Sequence, residues 1–353
     1  MATYRFDEIA INSTKKKKPT EEDKVHYIGL EHIDPGCFNI VRWGSDVAPT
    51  GDKLLMQKGD VLFGKRRAYQ RKVGIAPFDG IFSAHGMVLR PNTEIIDANY
   101  FPFFISSDRF METAVRISVG GLSPTINWKD LAKQEFDLPP QEEQKVLADK
   151  LWAAYRLKEG YKKLLAATDE IVKSQFIEMF NFTPLNLQNP SDDFNKLCED
   201  ITSKATKIPT SEYKIDGKYP IFDQSQDKYI AGYRDEDDGL CYDIPCVLFG
   251  DHSRVIKYID KPFYIGADGV KLIKTKSLER DARFLYYDLL FHEIPNTGYN
   301  RHFKYVKMIH FTKIDKSKQN LFLQISEQAD KLKLELRKSI DAIDKVIKSL
   351  ING

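Results

Sequence analysis

Along this chain two kinds of apolar pattern alternate. Short alternating runs, His26 to Leu30, Asp60 to Phe63, Lys72 to Ala76 and Ile81 to Arg90, are separated by Gly, Pro and Asp turns. They predict the strands of a small antiparallel or mixed sheet. Asn99 to Ser107, continuing to Val115, is apolar on one face and ends before Gly120-Gly121, which predicts a helix. After Pro139-Pro140 the period changes. Leu147, Leu151, Ala154, Lys158, Tyr161, Leu165, Thr168, Val172, Gln175 and Met179 recur at spacings of four and three, a heptad seam with polar interruptions. A second phase through Leu157, Leu164 and Ile171 would widen the stripe. Ile325, Ala329, Leu332, Leu336, Ile340, Ile343, Ile347 and Leu350 repeat that spacing near the C-terminus. Two such stripes are natural partners, and antiparallel pairing buries both. Because Lys158, Thr168 and Gln175 interrupt the first, part of its surface is either intramolecular core or a place where another polypeptide docks.

The same mixed unit is written twice. Val61-Leu62-Phe63-Gly64 returns as Val247-Leu248-Phe249-Gly250, and Ala84-His85-Gly86-Met87-Val88-Leu89 is answered by Ala267-Asp268-Gly269-Val270-Lys271-Leu272, an offset of about 185 residues. Solenoid repeats run about 20 to 50 residues, so this period marks a duplicated domain. The expected fold is α+β, with two similar modules separated by a long antiparallel two-helix coiled-coil spacer. The expected segments are 1–140, 141–180, 181–314 and 315–353, the second module opening near Pro184.

A chain of 353 residues with 42% hydrophobic and 29% charged residues can bury two cores and carry connectors. The formal net charge is +2, so affinity for an acidic polymer must come from local patches. No apolar run approaches the roughly 20 residues that span a bilayer, and Met1 to Arg5 opens no signal peptide, so a soluble, cytoplasmic protein is expected. Cys37, Cys198, Cys241 and Cys246 are too scattered for a disulfide framework. Cys241 and Cys246 have no second Cys or His pair for a zinc site, and the expectation is no metal.

Phosphate-cradling loops, dinucleotide glycines, nucleophile elbows, zinc-protease helices and amino-methyltransferase signatures are all missing from the sequence, and no catalytic residue is assigned. The seven histidines are dispersed, none with a spaced partner that makes a general base. Cations interleaved with aromatic and polar residues are the conspicuous chemistry. Lys65-Arg66-Arg67-Ala68-Tyr69-Gln70-Arg71-Lys72 packs five cations into eight residues directly after a strand. Arginine grips guanine or phosphate bidentately, glutamine pairs with adenine, and tyrosine packs on sugar or base. The second copy reads Asp251-His252-Ser253-Arg254 there, with Gly298-Tyr299-Asn300-Arg301-His302-Phe303-Lys304 further on. Homologous loops with different side chains are what two readers of two different sequences need. Candidate DNA contacts are therefore Lys65, Arg66, Arg67, Tyr69, Gln70, Arg71, Lys72, His85, Ser123, Thr125, Asn127 and Lys129 in the first module. In the second they are His252, Ser253, Arg254, Tyr299, Asn300, Arg301, His302 and Lys304. The run Lys15-Lys16-Lys17-Lys18-Pro19 reads as a solvated loop, with DNA contact as the alternative.

These residues also carry a resemblance. Val61 to Lys72, Phe82-Ser83-Ala84-His85, Gly121-Leu122-Ser123-Pro124-Thr125-Ile126-Asn127-Trp128-Lys129-Asp130-Leu131-Ala132-Lys133 and Leu138-Pro139-Pro140-Gln141-Glu142-Glu143-Gln144 look like the specificity subunit of type I restriction-modification systems. The second helix opens differently, at Phe311-Thr312-Lys313-Ile314-Asp315-Lys316, without the Pro-Pro junction. The resemblance implies that each module is a target recognition domain reading half of a bipartite site on double-stranded DNA, with the helices as a fixed spacer. It implies two DNA adenine methyltransferase subunits and motor-nuclease restriction subunits as partners, in defence against foreign DNA. S-adenosylmethionine, ATP and magnesium are expected on those partners, since no segment here offers them a site. The rivals are a nuclease or fused modification enzyme built on Asp235-Glu236-Asp237-Asp238, and a helical scaffold that binds no DNA.

Overall fold

The computed structural model describes residues 1–181, 191–276, 279–298 and 300–352. They form two compact units, Met1–Lys163 with Leu336–Gly353, and Leu164–Glu335. Two long helices, α1 (Gln141–Phe180) and α2 (Lys316–Asn352), each contribute to both.

The first unit holds two four-stranded sheets. One is antiparallel, in the order Ala10–Ser13, Met87–Pro91, Val61–Phe63, Val73–Ile75. The other is mixed, in the order Lys16–Lys17, Lys53–Met56, Gly80–Phe82, Tyr27–Ile28, its last pair parallel. Ala2–Arg5 pairs with Glu135–Leu138 beside them. The strand Val61–Phe63 lies between two apolar cores. Val61 and Phe63 enter the larger one with Phe6, Phe110 and Phe136, while Leu62 enters the smaller with Ile28, Met56 and Phe82. A strand covered on both faces has no polar position. The second unit repeats the plan: Cys198–Asp200, Val270–Thr275, Cys246–Gly250 and Ile256–Ile259 form an antiparallel sheet. Val247 and Phe249 enter one core, and Cys246 and Leu248 the other. The first sequence echo is thus the doubly covered central strand, written twice.

Three expectations are corrected. The run Ile81 to Arg90 is two strands, Gly80–Phe82 and Met87–Pro91, because residues 83–86 turn and Gly86 N–H donates to Ser83 C=O. The helix expected over Asn99 to Val115 is two, Phe101–Ser106 and Asp108–Arg116. Ser107 is extended and its hydroxyl caps Phe110 N–H, which starts the second. The lysine run is no free loop, since Lys16–Lys17 pairs antiparallel with Lys53 and Leu54. The second module's expected start, Pro184, lies outside the described residues.

Each unit fastens a long helix by one buried glutamine. Gln144 and Gln319 are each only 1% exposed. Gln144 Nε2 donates to Ile95 C=O (3.1 Å) and Pro139 C=O (2.8 Å), and its Oε1 accepts Asp97 N–H (2.8 Å). Gln319 Nε2 donates to Glu279 C=O (2.8 Å) and Ile314 C=O (2.7 Å), and its Oε1 accepts Asp281 N–H (3.1 Å). Asp97 and Asp281 in turn cap the next turn of chain, Asp97 accepting Asn99 and Tyr100 N–H, Asp281 accepting Arg283 and Phe284 N–H. The Pro-Pro sequence is absent from the second junction, yet the amide bonding is the same.

The helices pair antiparallel in each unit. In the first, Lys158 bonds Asp344 (2.5 Å), while Ile347 and Leu350 pack on the core containing Leu151 and Tyr155. In the second, Asp169 bonds Lys333 (3.0 Å) and Phe176 lies 5.2 Å from Phe322. The predicted α1 seam is at least partly buried throughout, but its proposed second phase is not. Leu157, Leu164 and Ile171 are exposed, and the stripe widens on the other side through Ala148, Tyr155 and Phe176. On α2 the expected Leu332 is exposed, because Lys333 takes the inward place, held by Asp169 and Asp330 (2.8 Å).

Replacing Gln144 or Gln319 by alanine leaves a backbone N–H and two carbonyls without their buried partner, and each change should cost about 2 to 3 kcal/mol. Leu164→Ala, on the exposed side of α1, should cost under about 0.5 kcal/mol. Urea unfolding of the three variants compares them directly, and similar losses would refute the assigned role of the amides.

Candidate nucleic-acid interface

In the first unit the cationic loop leaves the central strand at Gly64, whose N–H donates to Lys72 C=O (2.9 Å). Buried Ala68 anchors its short turn, Ala68–Gln70. Arg67 (φ 57°) and Arg71 (φ 53°) flank that turn in the left-handed region, which costs roughly 1 kcal/mol or more per non-glycine residue unless the surroundings impose it. Here they do. Arg67 N–H donates to Pro124 C=O (2.7 Å), and its guanidinium donates to Ser123 Oγ (3.2 and 3.0 Å). Arg71 bonds Asp108 (2.6 Å) and Ser106 C=O (3.0 Å). A hairpin closed by reciprocal Val119 and Thr125 hydrogen bonds (3.0 and 2.9 Å) abuts the loop, and Ile126 N–H donates to Lys65 C=O (3.0 Å). Lys65, Arg66, Arg67, Ser123 and Thr125 are thereby brought together. His85 joins them, its Nε2 3.4 Å from Arg66 Nη1 and its C=O accepting Arg66 N–H (3.1 Å).

Among the described residues no carboxylate pairs with Lys16, Lys65, Arg66 or Arg67. Partial burial, then the charges of Arg66, Lys65 and Lys53, hold the His85 imidazole below its ordinary range. Burial and the charge of Lys16 lower the Lys65 ammonium. Cations without carboxylate partners raise the local positive potential, which favours an anion. Sequence reasoning left out Lys53 and read the Lys16 strand as a loop, because strand pairing alone brings them near Lys65 and His85.

The second unit rebuilds the join with other side chains. Asp251 C=O accepts His302 N–H (2.8 Å), as Lys65 C=O accepts Ile126 N–H, while Asp251 Oδ1 accepts Phe303 N–H (2.8 Å). His252 N–H donates to Gln224 Oε1 (3.2 Å), and Gln226 Nε2 donates to Ser253 C=O (3.0 Å). Gln224 and Gln226 are site residues that the sequence did not single out, since the loop they brace lies 28 and 27 residues away. Arg254 is left-handed (φ 61°) and donates to Ile294 C=O (3.1 Å). Asn300, Arg301 and Lys304 are exposed, and Tyr299 lies outside the described residues.

Two sequence candidates are corrected. His302 is 0% exposed and occupies the place that Ile126 fills in the first unit, so it belongs to the core rather than to a DNA surface. Lys72 donates its ammonium to Leu30 C=O (2.6 Å), as Lys257 does to Lys228 C=O (2.7 Å) in the second unit; both tie strand to loop. Arg71 is partly exposed but ion-paired, while Tyr69, Gln70, Asn127 and Lys129 flank the cluster at least partly exposed. Burial pushes the thiols of Cys198 and Cys246 up to about 12.

This architecture, two α+β modules with homologous braced loops and two long helices, is a duplicated two-module fold. Residues 3–166 match the family model described as type I restriction modification DNA specificity domain. The type I restriction enzyme EcoDI specificity subunit of Escherichia coli is 29% identical over 146 residues, 40% of this chain and 31% of that protein. The chain thus matches about a third of the length of that relative. The crystal structure of a type I restriction-modification S subunit from M. genitalium superimposes with a TM-score of 0.57 at 15% identity, over 99% of this chain and 95% of that one. A chain from a structure on complex assembly and conformational transition of the type I R-M system gives 0.55 at 17%, over 99% and 96%. The resemblance read from the sequence is therefore shown, and the fold is that of type I specificity subunits.

An arriving phosphate would raise the depressed pKa of His85, so DNA binding should take up a proton. The sign follows: affinity should rise as pH falls through the window around and below 6.5, where bound but not free His85 is charged. His85→Gln should flatten that slope in salt-matched titrations between pH 5.5 and 7.5. An unchanged slope would remove His85 from the anion site.

Proposed function

We propose that this chain is the DNA-recognition subunit of a type I restriction-modification enzyme, in which each unit reads one half of a bipartite site. The observation that supports it most is the doubly built loop: one backbone join, Lys65 to Ile126 and Asp251 to His302, carrying different side chains around it. Lysine contacts to phosphate would supply salt-sensitive affinity, and arginine, glutamine and asparagine contacts to base edges the sequence preference. The chain performs no chemistry in this reading. DNA adenine methyltransferase subunits, with S-adenosylmethionine, and restriction subunits, with ATP and magnesium, would dock on it. The exposed Leu157, Leu164 and Ile171 on α1 support such docking. No helix among the described residues is long and apolar enough to cross a membrane.

The nuclease alternative rested on the acidic run at Asp235. There Asp235 pairs with Lys214 (3.0 Å), and Glu236 and Asp238 pair with Arg234 (2.9 and 3.1 Å), which favours a surface charge network. Magnesium-dependent cleavage by the isolated chain would reverse that judgement.

Replacing Arg66 and Arg67 together by alanine should weaken binding to the first half-site by about 1 to 3 kcal/mol per base-reading arginine, with little change on random DNA. Lys65→Ala should weaken both alike. Equal cognate affinity of the double variant and the parent at matched salt would sink the assignment.

If the helices set the distance between half-sites, seven residues added to each would keep the heptad phase and add about 10.5 Å of rise. The preferred gap should then lengthen by roughly 3 base pairs, at about 3.4 Å each, with half-sites unchanged. Methylation by the reconstituted enzyme on a library of gap lengths measures this, and a fixed gap would refute the ruler.

A further inference from the structure

The hairpin beside the first recognition loop carries a side chain that nothing in the fold uses. Leu122 is 96% exposed. Gly120 (φ +112°) and Gly121 precede it, and a Cβ built at Gly121 would meet nothing within 4 Å, so Leu122 is the large apolar group of a bare tip. A lone exposed leucine is ordinary on a protein surface. This one differs in its support and its surroundings. The Val119–Thr125 pairing makes a two-stranded ribbon, and Arg67 braces the ribbon through Pro124 C=O and Ser123 Oγ. Around it stand Lys65, Arg66 and Arg67, with no carboxylate partner among the described residues. A cationic surround selects a polyanion, and the major groove of B-DNA admits a two-stranded ribbon. On base edges in that groove the apolar group is the thymine 5-methyl.

We propose that Leu122 contacts a thymine methyl in the half-site read by the first unit, so that thymine is distinguished there by apolar contact and not by a hydrogen bond. The inference rests on the DNA-recognition reading above. The second copy has a similar run in sequence, Gly298-Tyr299-Asn300, where a large side chain again follows glycine shortly before, though not at the same spacing from, the residue whose N–H joins the loop.

The test uses the full-length chain and duplexes it selects from a random library. Each thymine of the first half-site is replaced in turn by deoxyuridine, which deletes only the methyl. Burying one methyl is worth about fourfold in affinity. The parent should lose about that much at one position. Leu122→Ala should bind thymine and uracil alike there, with affinity for the second half-site unchanged, and Leu122→Met should keep the discrimination. The proposal is overturned by a parent that tolerates uracil everywhere, by a first half-site without thymine, or by an equal uracil penalty in Leu122→Ala. A parent that selects no sequence at all would instead strike the DNA-recognition reading, and this inference with it.

Discussion

The start of each long helix is fixed by a buried neutral amide. A primary amide offers two donors and a two-lone-pair acceptor, and Gln144 uses both donors on carbonyls and its oxygen on a backbone N–H. Those groups come from the helix approach, Pro139, and from the turn that Asp97 caps, so one side chain sets the helix against the helical layer of its module. Gln319 repeats the geometry with Ile314, Glu279 and Asp281. Glutamate would bring charge into the site and lose both donors, and methionine would fill the space while leaving three backbone groups unpaired. The requirement falls on one residue type at one position, which is why the prolines can vary while the amide remains.

With each module fixed to the helices, the loops above are free to differ. Backbone bonds carry the loop geometry: Lys65 or Asp251 accepts through its carbonyl whatever its side chain does. Lysines 72 and 257 anchor the far edge by donating to carbonyls, a role independent of DNA sequence. Side chains in between can therefore change from Arg66 and Arg67 to His252 and Ser253 without dismantling the fold. In these loops left-handed backbone falls on Arg67, Arg71 and Arg254, which the surrounding contacts hold.

Much of this was legible in the sequence, for identifiable reasons. The Val-Leu-Phe-Gly echo survives because both faces of that strand are covered and no position is left to a polar residue. Helix periodicity was legible because α1 and α2 bury one stripe each. What failed depended on partners distant in sequence. Leu332 fits the heptad count as well as its neighbour, and Asp169 on the other helix puts Lys333 inward instead. His302 looks like a DNA contact beside Arg301 and Lys304 until its backbone N–H is found on Asp251 and its ring beneath the surface. The Lys16 strand reads as loop because its pairing partner, at Lys53 and Leu54, lies far along the chain, beyond the Tyr27–Ile28 strand.

The division of electrostatic labour follows from these placements. Helix junctions use an uncharged amide, whose hydrogen bonds neither titrate near neutrality nor weaken with salt. The loop face of the first unit collects cations that have no carboxylate partner among the described residues, and burial followed by neighbouring positive charge lowers Lys65 and His85 there. Salt screens the second kind of interaction over about 10 Å at 0.1 M and leaves the first almost untouched. An interaction made at that face would therefore depend on salt and pH, while the amide junctions that fix the helix starts would not.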